Sequence, residues 1–121
     1  MDGPKFREFF TSTGAQVLGG RNSKNNEELI SQLEPNETVL HTAKPGSPFV
    51  NIKGKAETQD ILDAAIFCAK HSQDWRDNQN DVEIHVFKAR DIYKDKGMKE
   101  GTFGVKKFDV IKIKKADIKR L

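Results

Sequence analysis

Residues 58–71 read TQDILDAAIFCAKH, and Ile61, Leu62, Ala65, Ile66 and Ala69 recur there at the spacing of one helix face. Thr58 is a candidate N-cap, and Glu57, Asp60 and Asp63 place negative charge near the positive end of the helix dipole. The single Cys68 falls inside the apolar run, so it reads as a small core residue and not as half of a disulfide.

An amphipathic helix needs a surface to bury against, and the flanking segments supply one. Downstream, SQDWRDNQND (72–81) reads as a polar loop, after which Val82, Ile84 and Val86 alternate with Glu83, His85 and Phe87 as a strand. Further on, Val110, Lys112 and Lys114 alternate with Ile111 and Ile113, a half-buried strand with a lysine face. Upstream, Thr38–Thr42 and Phe49–Ile52 form two short apolar pieces around a Lys-Pro-Gly-Ser-Pro loop, and Phe6–Phe10 with Ala15–Leu18 form a hairpin across a Thr-Ser-Thr-Gly turn. Between them, Leu29, Ile30 and Leu33 mark a second helix, with Ser23 or Asn25 as its cap and Pro35 as its end. The expected fold is α+β, a mostly antiparallel β-sheet with two or three helices packed on it.

The chain has 121 residues, 36% of them apolar, with eight Phe, one Trp and one Tyr, which suffices for one core; residues 1–121 are expected to form a single domain. No window approaches the length of a membrane span, and MDGPKFREFF lacks the basic-then-apolar order of a signal peptide, so a cytoplasmic location without membrane attachment is expected. Net charge is only +3, but residues 1–87 carry 9 basic against 13 acidic side chains and residues 88–121 carry 12 against 5. Such a basic last third is either an electrostatic footprint for phosphate or a lysine-guarded edge strand.

Much chemistry is absent. His41, His71 and His85 and the one Cys show no zinc spacing, no G-x-S-x-G elbow is present, and Gly19-Gly20-Arg21 lacks the G-K-[ST] ending of a phosphate loop. No metal, cofactor or catalytic group is expected. Three polar constellations remain: GGRNSKNN (19–26), AKPGSP (43–48) and KDKGMKEG (94–101). Each joins glycine, which permits close backbone approach, to side chains whose donors suit phosphate and sugar oxygens. His41 follows Val39 and Leu40 on a strand; if Val39 and His41 share a face, its imidazole emerges near the Lys44-Pro45-Gly46-Ser47 loop, either to meet a ligand or simply to bond a neighbouring backbone group.

Taken in order, FTSTGAQVLGGRNSKNNEEL, HTAKPGSPFVNI, DAAIFCAKHS and YKDKGMKEGTFGV resemble the NFACT-R domain, the RNA-binding module of NFACT proteins, over roughly residues 5 to 115. The family's G-R-N-x-x-x-N pattern falls on Gly20, Arg21, Asn22 and Asn26, with Lys24 inside it. Its His and Pro-Gly-Ser loop fall on His41, Pro45, Gly46 and Ser47, its small-residue helix with a closing Ser on Ala64, Ala65 and Ser72, and its late turn on Lys96, Gly97 and Gly101. Many members carry an aromatic before the motif His and a second His after Gly-Ser, where this chain has Leu40 and Pro48.

The resemblance implies a stand-alone member of the family with a non-catalytic RNA-binding role. Its partners would be transfer RNA or ribosomal RNA and the ribosome, because larger members act in ribosome-associated quality control. Tail synthesis is not implied. On this reading Arg21, Lys24, Lys44 and the late lysines Lys94, Lys96 and Lys99 meet phosphate, while Asn22, Asn26, His41, Gly46 and Ser47 meet sugars or bases. The alternative is a protein-interaction module whose basic face binds an acidic protein.

Overall fold

The computed structural model describes residues 5–121; residues 1–4, the start of the stretch read above for a signal peptide, lie outside it. Eight strands and four α-helices follow one another. They are β1 (Arg7–Phe10), β2 (Gln16–Gly19), α1 (Ser23–Ser31), β3 (Thr38–Thr42), β4 (Val50–Ile52), α2 (Thr58–Lys70), α3 (Gln73–Asn78), β5 (Val82–Lys88), β6 (Ile92–Tyr93), β7 (Gly104–Val105), β8 (Asp109–Ile113) and α4 (Lys115–Arg120). Six strands form one antiparallel sheet in the order β1-β2-β4-β3-β5-β8, and β6 and β7 form a separate ribbon. The α+β expectation holds, with four helices.

Period-two alternation sends neighbouring strand residues to opposite faces of the sheet. Leu40, Val50, Ile52, Val82 and Ile84 point to one face, where they pack with Ala64, Ala65, Phe67 and Cys68 of α2. Val39, Phe49 and Phe87 point to the other, where Leu29 of α1 and the ribbon residues Ile92 and Val105 cover them. Cys68 is buried in the first cluster, and burial pushes its thiol up to about 12, which leaves it protonated and unreactive.

Three local readings need correction. The N-cap of α2 is Glu57, not Thr58: Glu57 keeps an extended backbone, and its amide donates to the Asp60 carboxylate at 2.9 Å. Residues 72–81 are not all loop. Ser72 Oγ accepts the Trp75 amide at 3.1 Å, and the buried Trp75 anchors α3 to the core, so a cap and one large apolar side chain order a segment that its polarity marked as irregular. The cap of α1 is Asn22, as described next.

Candidate functional site

The turn from β2 into α1 is held by three asparagines. Asn22 is extended, and its Oδ1 accepts the Asn25 amide at 2.8 Å. Ser23 and Asn25, the caps expected from sequence, already lie inside the helix, too late to reach the first amides. Asn25 Oδ1 accepts the Arg21 amide at 2.9 Å, and the buried Asn26 Oδ1 accepts the Phe49 amide at 3.2 Å. Asn26 crosses directly over Gly20, where a Cβ would lie 1.8 Å from its Oδ1. These short amides therefore fix backbone, while the Arg21 and Lys24 side chains stay exposed.

The late constellation docks on the same turn. Glu27 of α1 accepts from Lys94 Nζ and from the Gly101 amide, both at 2.7 Å. Its carboxyl is held below the usual range, first by the Lys94 hydrogen bond and then by the Gly101 amide. Lys94 Nζ also donates to the carbonyls of Lys99 at 2.7 Å and Thr102 at 2.8 Å and sits 4.5 Å from the Phe103 ring centre. With three donors committed, Lys94 braces the loop and has no proton left for phosphate. Gly101 has φ +79°, and a Cβ there would lie 2.7 Å from Ser23 Cα, so only glycine allows this approach. Glu27→Ala is expected to loosen residues 94–103 by about 1 kcal/mol, read as faster amide hydrogen exchange at Gly101 with the core amides unchanged.

The Pro-Gly-Ser loop closes the arrangement. Ser47 Oγ accepts the Thr42 amide at 3.1 Å, and the Gly46 carbonyl accepts the Gln73 amide at 2.8 Å, which ties the loop to β3 and α3. Two depressions share the walls Ser23, Asn26, Gly46 and Ser47. One is a cavity of about 500 Å³ lined also by His41, His85, Phe49, Phe103 and Phe108. The other is a groove of about 380 Å³ lined also by Arg7, Arg21, Arg76 and His71.

His41 shares a sheet face with Val39, faces His85 across the β3–β5 pair, and leans on Phe49 with ring centres 4.5 Å apart. Its Nδ1 lies 2.8 Å from the Thr42 carbonyl, which can only accept, so the proton is on Nδ1 and Nε2 is left as an acceptor. Burial is the first cause holding His41, His71 and His85 below their ordinary value of 6.5. Between that value and the lower folded values the unfolded chain binds more protons, so stability is full above about 6.5 and falls as pH drops below it. Urea midpoints measured from about pH 7.5 to about pH 5 should show this decline, and His41→Gln should flatten it.

Of the residues expected from sequence, Arg21 and Asn22 line the groove, His41 lines the cavity, and Asn26, Gly46 and Ser47 line both. Lys44 stands beyond the loop in a mixed-charge pocket, 3.6 Å from Asp74. Lys24, Lys96 and Lys99 are exposed and line neither depression. Lys112 and Lys114 do not join them: they belong to β8 and its end, at the edge of the sheet. Sequence reasoning missed Arg7, His71, His85 and Arg76. Arg7 was within reach, because the hairpin register places it opposite Gly19 and so beside the motif.

Together these features define an α+β domain with an arginine groove opening beside a histidine–aromatic cavity. The chain belongs to the NFACT protein RNA binding domain family, whose model matches residues 5–107. It is 28% identical over 100 residues to the Rqc2 homolog RqcH of Bacillus subtilis (strain 168), an alignment covering 81% of this chain and 17% of that protein. The chain thus spans about a sixth of that relative's length. Its fold matches the C-terminal part of the fibronectin/fibrinogen-binding protein of Streptococcus suis with a TM-score of 0.84 at 20% identity, covering 100% of this chain and 50% of that one. Among the described residues no helix is long and apolar enough to cross a membrane, and no group of three His, Cys, Asp or Glu side chains is placed to hold a metal.

Proposed function

We propose that this protein binds structured RNA without catalysis and works in the cytoplasm at the ribosome, on transfer RNA or ribosomal RNA. The observation that carries the reading is a groove with three arginines lined by two glycine-containing loops, residues 19–26 and 43–48, with the third loop packed through Gly101 on Ser23 of its wall. Guanidinium groups suit phosphate oxygens in paired hydrogen bonds, and Arg21 offers one unpaired among the described residues, whereas Arg76 is paired with Asp77 at 3.0 Å and Arg7 donates to His71 and the Gly20 carbonyl. Arg21 is the main phosphate contact within the groove, with Arg7 and Arg76 beside it; Lys24, exposed on α1 outside the groove, extends the contact, and Lys44, Lys96 and Lys99 stand at the periphery. Family membership supports RNA as the ligand. The ribosome enters through the role that larger family members play in quality control.

The test is binding of purified protein to transfer RNA and to ribosomal RNA fragments from about 50 to about 200 mM salt. Affinity should fall steeply with salt, and the slope counts the phosphates neutralised. Binding that ignores salt would remove the mechanism. The lysines at the β8 edge favour a second reading, an acidic protein partner bound along that strand. A partner retained after nuclease treatment and lost on Lys112→Glu would identify it.

A further inference from the structure

The cavity and the groove are chemically different, although they share four residues of wall. The groove offers guanidinium charge. The cavity offers aromatic rings and uncharged hydrogen-bonding groups, among them the imidazoles of His41 and His85: His41 lies against Phe49, Phe49 meets Phe103 edge-on at 5.5 Å, and His85 meets Phe108 edge-on at 3.9 Å. No buried side-chain nitrogen or oxygen among the described residues lacks a partner, so His41 Nε2, which has none, is open to whatever enters. A phosphodiester gains nothing from such walls. A nucleobase gains stacking on its faces and a hydrogen bond from an amino or imino group at its edge to Nε2. The volume of about 500 Å³ falls in the range of small-molecule sites.

The geometry points to the cavity as the seat of a single nucleotide everted from RNA, its base against the rings of His41 and Phe108 and its phosphate in the arginine groove. The shared wall of Ser23, Asn26, Gly46 and Ser47 lets one nucleotide span both spaces. This deepens the RNA-binding reading and rests on it. Preferred RNAs would then carry a bulge or an unpaired loop nucleotide, because eversion costs least where the base has no pairing partner. His41 would set base preference through its acceptor, and the arginines would set affinity.

The experiment compares hairpin RNAs that differ at one position: a single bulged nucleotide, each of the four bases in turn; the same bulge without its base; and a fully paired stem. At least one bulged base should bind on the order of tenfold more tightly than the abasic bulge. His41→Ala and Phe108→Ala should each erase that gain and leave abasic affinity unchanged. Phe108 is 43% exposed, so its loss leaves the fold intact even if His41→Ala does not. Equal affinities for bulged, abasic and paired RNA, with salt dependence intact, would overturn the base seat and leave the RNA reading standing. No binding to any of them at low salt would overturn both. A free nucleoside monophosphate that binds as tightly as the bulged RNA would overturn RNA as the source of the nucleotide.

Discussion

Reversing two charges at the head of α1, as Arg21→Glu with Lys24→Glu, is expected to weaken RNA binding on the order of 100-fold at low salt. A charge-assisted hydrogen bond contributes about 1.5–3 kcal/mol, and each 1.4 kcal/mol is about tenfold, so losing two such contacts reaches that size before repulsion is counted. The slope of affinity against salt should also fall by about one for each side chain removed. Folding should be unaffected: both side chains are exposed, and the hydrogen bond that Arg21 makes comes from its backbone amide, which any residue keeps. Unchanged RNA affinity in a folded double variant would discard the groove as the phosphate site. Lys94 provides the contrast, since its ammonium is committed to Glu27, Lys99 and Thr102. Lys94→Ala should act through the loop it braces, with exchange at Gly101 and RNA affinity changing together.

The difference between Arg21 and Lys94 marks where reading the chain reaches its limit. Both are basic residues in glycine-rich polar stretches, and nothing local separates one that faces solvent from one that closes a tertiary contact with a carboxylate 67 residues away. The strands of the main sheet and the two longer helices were legible because periodicity is a local property: Val82 to Phe87 alternates and Ile61 to Ala69 recurs. The face of α2 is nevertheless rotated from the one read: Leu62 stays 41% exposed, and Ala64, Phe67 and Cys68 join Ala65 and Ala69 in the core, while the short ribbon β6–β7 was not read at all. The face shared by Val39 and His41 followed from the same alternation. By contrast, α3 hid behind its charges because one Trp and one Ser cap determine it. His85 joined the site only through the pairing of β3 with β5, a register that no segment carries alone. Of the two readings given for the basic last third, an edge strand and a phosphate footprint, the structure shows that β8 occupies the sheet edge, while the arginine groove proposed for phosphate lies beside α1.

Gly20→Ala is expected to cost about 2–6 kcal/mol, a large loss for a glycine without a left-handed backbone. The added Cβ would meet Asn26 Oδ1 at 1.8 Å and Asn26 Cγ at 2.9 Å. Asn is short and this one is buried, so it yields only by releasing the Phe49 amide, which adds an unpaired donor of about 1–3 kcal/mol to an overpacking cost of about 1–3 kcal/mol. Asn26→Ala alone loses the same hydrogen bond and should cost about 1–3 kcal/mol. In the Asn26→Ala background the obstacle is gone, and Gly20→Ala should be nearly neutral, so the double-mutant cycle should return a coupling as large as the Gly20→Ala loss itself, about 2 kcal/mol or more. Urea unfolding of the four proteins measures it, and additive losses would show that Asn26 is not what requires glycine at position 20. The same pair separates brace from contact. The oxygen of Asn26 is occupied by the Phe49 amide, so Asn26 can touch RNA only through its amide N–H groups, and its role as a brace for the wall between groove and cavity leaves the Arg21 and Lys24 contacts in place. The folded double variant should therefore keep most of its RNA affinity, whereas a loss as deep as that of the Arg21 and Lys24 reversal would make Asn26 a direct contact.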